Sequence, residues 1–148
     1  MAILKYFGAY TLPLLGILTF NSNGITAYIG LISLYIMVPI LEIIFSTNSY
    51  NLNDIERKSA KESRFFDYVL FGMVPLHLAS VYCFMIAIST QNLSITDLLA
   101  YILMMGTLLG VIGINLGHEL GHKTERPLNV FLAHLLLTTS VQNHFMTY

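Results

Sequence analysis

From Tyr6 to Leu41 the chain carries no Lys, Arg, Asp or Glu, and from Tyr68 to Gly117 Asp97 stands as the lone charged residue. Apolar runs of this length must be buried all round. A bilayer core does this for segments of about 20 residues. Charged residues make up 10% of the sequence, against about 25% in an ordinary soluble domain. Mean hydropathy is +0.69, which places the chain among integral membrane proteins. The net charge of −1 offers nothing to nucleic acid. Cys83 is the single cysteine, so no internal disulfide forms, and it reads as a small core residue.

The polar breaks set the organisation. Asn21-Ser22-Asn23-Gly24 interrupts the first run with turn residues, which gives spans at 3–20 and 25–45. A polar segment, 46–67, holds Asp54, Glu56, Arg57, Lys58, Lys61, Glu62, Arg64 and Asp67. A third span, 68–90, and a fourth, 95–117, are separated by the turn Gln91-Asn92-Leu93-Ser94. The run from Pro127 to Tyr148 is long enough to cross a membrane. Its content of Asn129, His134, Thr138, Thr139, Ser140, Gln142, Asn143 and His144 instead predicts a helix lying in or under the interface, with Pro127 in its first turn. No cleavage site follows the first run cleanly, so it reads as an uncleaved span. The expected fold is all-α: an integral membrane bundle of four transmembrane helices plus a C-terminal interfacial helix.

Orientation follows from the basic residues. Lys5, Arg57, Lys58, Lys61, Arg64, Lys123 and Arg126 fall at the N-terminus, in the second loop or after the fourth span. Four spans bring those regions to one side, and the excess of Lys and Arg makes that side cytoplasmic. Asn92-Leu93-Ser94 matches a glycosylation sequon but reads as a turn.

The fourth span has two faces. At about 100° per residue, Gly106, Gly110, Gly113, Gly117 and Gly121 form one stripe, suited to close approach of a neighbouring helix. Asn115, His118 and His122 fall on another face. Continued into the membrane, that face carries Met104, Thr107, Leu108 and Val111, which predicts an apolar slot closed at its cytoplasmic end by imidazoles. Glu42, near the cytoplasmic end of the second span, is a candidate to hold the second nitrogen of one histidine. His77 lies about ten residues into the third span, where a hydrogen bond to a neighbouring helix is the simplest role.

The stretch Gly117-His118-Glu119-Leu120-Gly121-His122-Lys123, residues 117–123, carries the chemistry. Histidines at i and i+4 aim both imidazoles from one helical face at one metal. Two metals remain open from the residues alone. In a zinc protease both histidines are ligands and the intervening Glu119 is the base. In a non-haem iron site, several neutral imidazoles hold the metal and leave positions for oxygen.

The same stretch, preceded by Gly113-Ile114-Asn115-Leu116, resembles the first histidine box of the membrane alkane 1-monooxygenases, with xylene monooxygenases and fatty-acid desaturases as wider relatives. Pro39-Ile40-Leu41-Glu42 resembles the end of that family's second span, and Asn143-His144-Phe145 the segment leading to its second box. The resemblance implies a six-span fold with a cytoplasmic-side non-haem di-iron (Fe) centre. It implies O2 and an alkane as substrates, rubredoxin as electron donor, and the bacterial inner membrane as location. By that likeness His118 and His122 are iron ligands and Glu119 is not. Catalytic residues other than these ligands are not assigned. The further boxes would follow residue 148, so the expectation is an N-terminal piece, inactive alone. The predicted slot also favours iron over zinc: an inert C–H bond needs a redox metal, and nothing in the slot would position an amide.

Overall fold

The computed structural model describes residues 8–37, 39–40, 43, 64–122 and 126–142. Regular structure among them is entirely helical. After a 3-10 turn at Gly8–Tyr10, helix α1 covers Thr11–Phe20. Pro13 sits in its first turn, where a missing N–H costs nothing. The helix stops because Asn21 Nδ2 and Ser22 Oγ donate back to the Ile17 and Leu18 carbonyls, at 2.8 and 2.7 Å. Gly24 then reverses the chain at φ +62, a conformation that favours glycine.

Helix α2 (24–37) is composite: a 3-10 turn at Gly24–Tyr28, an α turn at Ile29–Ile32 and a π turn at Ser33–Met37. Helix α3 covers Arg64–Thr90, so the helix already includes the last residues of the expected polar loop. Helix α4 runs unbroken over Ile95–Gly121 and includes an eight-residue π run, Leu109–Leu116. Helix α5 covers Pro127–Thr139. Two segments, Tyr68–Thr90 and Ile95–Gly121, are long and apolar enough to cross a membrane. The helices Thr11–Phe20, Gly24–Ile36 and Pro127–Thr139 are apolar but shorter. The spans expected at 3–20 and 25–45 run into residues 3–7, 38, 41–42 and 44–45, outside the described residues, and Glu42 is among these.

The contacts give an up-and-down order. Tyr10, at the N-cap of α1, and Phe20, at its other end, meet Val69 and Phe84 of α3, so these helices run parallel. Tyr28 and Tyr35 of α2 bond to Thr96 and Thr107 of α4, which makes that pair parallel too. One end of the bundle is tied by side chains from α4. Asp97 accepts from Gly24 N at 2.6 Å and from Ser94 Oγ at 2.6 Å, while Ser94 Oγ caps the Asp97 N–H at 3.1 Å. The Tyr101 hydroxyl lies 3.0 Å from the Ser22 carbonyl and 3.2 Å from that of Phe20, at the open end of α1. The histidines lie at the opposite end of α4.

Of the interfacial helix expected over 127–148, residues 143–148 lie outside the described residues, and α5 buries one face against α4. Asn129, Ala133, Leu136 and Leu137 are fully buried, and the helix turns back antiparallel along α4. A Cβ at Gly117 would meet Leu137 at 3.0 Å and Leu136 at 3.3 Å, and one at Gly113 would collide with the Ser140 hydroxyl. The glycine stripe is therefore half seam and half open: Gly113 and Gly117 receive α5, whereas Gly106 and Gly110 have no atom within 4 Å of a Cβ. Three polar side chains at the end of the helix bond to backbone carbonyls. Thr138 donates to His134 O at 2.7 Å, Thr139 to Leu136 O at 2.6 Å, and Ser140 to Leu109 O at 3.3 Å.

The helix ends in a paired cap. Gln142 N donates to Leu137 O and Val141 N to Thr138 O, with Val141 at φ 57. This is a left-handed conformation that costs a β-branched residue about 1–2 kcal/mol. Val141→Gly should therefore raise thermal stability in detergent by about 1 kcal/mol. An unchanged or lower midpoint would show that the cap is not strained.

Candidate metal centre

The last turn of α4, Gly117–Gly121, places His118 and, at its C-cap, His122 on the same side of the helix. Their Nε2 atoms are 2.9 Å apart, and the rings stand nearly perpendicular at a centroid distance of 4.4 Å and 77°. Two imidazole nitrogens each about 2.1 Å from one metal, at right angles to one another, lie about 3 Å apart. The pair therefore fits two adjacent positions of a single metal ion, through the same nitrogen of each ring. Both residues are exposed, as are Glu119 and Asn115. Among the described residues no third His, Cys, Asp or Glu joins them in a group able to hold a metal.

The phase of the imidazoles comes from the π run. In a pure α-helix a repeat of four drifts by about 40° per step. A π ladder, bonded i→i+5, has more residues per turn and reverses that drift. Leu108, Ile112, Leu116 and Leu120 consequently stay on one buried face, at 0%, 0%, 8% and 0% exposure. Val111, Asn115, His118 and His122 share the outer side.

The predicted slot is divided by the same effect. Met104 and Leu108 turn into the core, Leu108 against Gly16 of α1, rather than lining a slot beneath the histidines. Val111 faces outward at 49% exposure. A uniform 100° projection does not hold along α4, because the π run Leu109–Leu116 contains Val111 and separates Met104, Thr107 and Leu108 from the box. Thr107 lines a cavity. This is an apolar groove of about 390 Å³ formed by Tyr28, Leu31, Ile32, Tyr35 and Ile36 of α2 with Leu103 and Thr107 of α4. Tyr35 Oη and Thr107 Oγ1 lie 2.9 Å apart within it, and Thr107 also donates to Leu103 O at 2.9 Å.

No family model matches the chain, and no solved structure does. Curated relatives do. Alkane 1-monooxygenase 1 of Alcanivorax borkumensis is 27% identical over 135 residues, which is 90% of this chain and 33% of the relative. Alkane 1-monooxygenase of Pseudomonas putida gives the same 27%, 90% and 33%. Alkane 1-monooxygenase of Acinetobacter baylyi is 32% identical over 118 residues, 78% of this chain and 28% of the relative. The chain belongs to the alkane monooxygenase family. It spans about a third of the length of these curated relatives.

Against that family background, three features of this alkane monooxygenase-family chain escaped the sequence reading. Tyr35 had no signal, being one tyrosine among 9. The buried carboxamide of Asn129, with neither polar atom partnered among the described residues, was read as a surface group. His77 was expected to bond a neighbouring helix, but Thr139 could not be named as its partner, because periodicity fixes faces and not pairings.

Proposed function

We propose that His118 and His122 contribute to the iron centre of a membrane alkane hydroxylase that uses O2 and electrons from rubredoxin to hydroxylate the terminal carbon of an alkane. One observation carries the reading. Two imidazole nitrogens 2.9 Å apart stand at the end of a helix long and apolar enough to cross a bilayer, in a chain whose relatives are named alkane 1-monooxygenase. A bound non-haem di-iron group supplies the oxygen activation that an inert C–H bond requires. The chain's own part is to present two neutral imidazoles in fixed rotation. Asn115 lies one turn before the box on the same outer side, and Glu42 is proposed to hold the remaining nitrogen of one ring. Glu119 has no role in this reading.

In the proposed topology four helices cross the bacterial inner membrane as part of a six-span fold. The basic residues put the N-terminus and the histidine pair on the cytoplasmic side. Helix α5 then re-enters along α4. The groove between α2 and α4 is of the size that holds small ligands, and its lining suits an alkyl chain drawn from the bilayer. Leu103→Trp fills much of it. Turnover of longer alkanes should fall relative to shorter ones by about tenfold. Equal effects on all chain lengths would remove the groove from the substrate path. The proposal as a whole is tested by supplying membranes containing the whole protein with reductant, O2 and a medium-chain alkane. A terminal alcohol is expected, and its absence from iron-replete protein contradicts the reading.

A further inference from the structure

We infer that His77 is a positioning residue for the His118/His122 pair, acting through Thr139 at the end of α5. The inference rests on the reading of that pair as metal ligands. His77 is fully buried in α3, and its Nε2 lies 3.0 Å from Thr139 Oγ1. The single hydroxyl proton of Thr139 is donated to Leu136 O at 2.6 Å. Its oxygen must therefore accept, which assigns the proton of His77 to Nε2. Nδ1 is buried and has no partner among the described residues. One nitrogen of the ring is thus used, and it is spent on the last turn of α5.

That turn is a three-helix junction. The next residue, Ser140, donates to Leu109 O at 3.3 Å and sits on Gly113. Leu109 is the first residue of the π run, and Gly113 lies within it. A side chain bonded to a helix carbonyl is one of the causes of departure from the regular ladder. The π run in turn sets the rotation of the helix end that bears His118 and His122. The chain of contacts is His77 to Thr139, Ser140 to Leu109 and Gly113, and five residues of helix from Gly113 to His118. A buried imidazole far along the sequence thereby fixes where two exposed imidazoles point.

The test separates the two ring nitrogens. Glutamine places its amide nitrogen near the position of Nε2, and asparagine near that of Nδ1. Docking of α5 is read by disulfide formation in a Gly113→Cys/Ser140→Cys pair made in a Cys83→Ala background. A Cβ on Gly113 lies 3.5 Å from Ser140 Cβ, within the range that a disulfide spans. Orientation of the histidine pair is read by electron spin resonance, as the distance from copper(II) held by His118 and His122 to a nitroxide at Met85→Cys on α3. The parent and His77→Gln should cross-link alike, whereas His77→Asn should cross-link about tenfold more slowly and shift the copper–nitroxide distance. Thr139→Ser should behave as the parent and Thr139→Val as His77→Asn, which keeps the test decisive if one histidine variant does not fold. Equal cross-linking of His77→Gln and His77→Asn overturns the inference. So does slower cross-linking with an unchanged copper–nitroxide distance. Parent protein that holds no iron, yet divides as described, contradicts the metal reading and leaves the positioning role standing.

Discussion

His118→Ala and His122→Ala should each abolish alkane hydroxylation and iron retention by the whole protein, while leaving its helical content unchanged. Both side chains are exposed, so alanine removes no core packing. Their Nε2 atoms lie 2.9 Å apart. Loss of either leaves a metal with one anchor from this helix. Removing a group that merely supports a ligand costs up to about 100-fold in metal affinity or activity, and removal of a ligand should exceed this. The check is iron content and product formation beside a circular-dichroism spectrum. A variant that keeps iron and activity would make the pair structural.

The second large effect belongs to the seam under α5. Gly117→Leu should displace α5, because even a Cβ there meets Leu137 at 3.0 Å and Leu136 at 3.3 Å, both fully buried. Overpacking of a well-filled contact costs about 1–3 kcal/mol. Gly110→Leu is the internal control, since a Cβ there has nothing within 4 Å. A falling melting temperature and falling iron content are expected for Gly117→Leu, and neither for Gly110→Leu. Equal behaviour of the two variants would mean that α5 is not held by this seam.

Much of this was readable from residues alone, for reasons that are local. Turn residues at Asn21–Gly24 and Gln91–Ser94 stop helices wherever they occur, and here they do so through bonds to their own helix or to the next cap. The closeness of the two imidazoles was readable because a spacing of four on any helix brings two side chains together. The slot was not. Whether a ladder bonds i→i+4 or i→i+5 leaves no periodic mark in the residues. The same holds for α5. Thr139 and Ser140, half-buried and bonded to backbone carbonyls, cease to signal solvent, so a polar composition hid a packed helix face. The glycine stripe showed where close approach was possible, and among Gly106, Gly110, Gly113 and Gly117 the last two are approached.

Metal analysis of the purified whole protein decides the chemistry most directly, because the His-Glu-x-x-His spacing of 118–122 is shared with zinc proteases. Iron should be found in the parent, with no zinc, and should be lost from His118→Ala and His122→Ala. Stoichiometric zinc without iron, lost from the same two variants, would contradict the hydroxylase reading and leave a zinc site in its place.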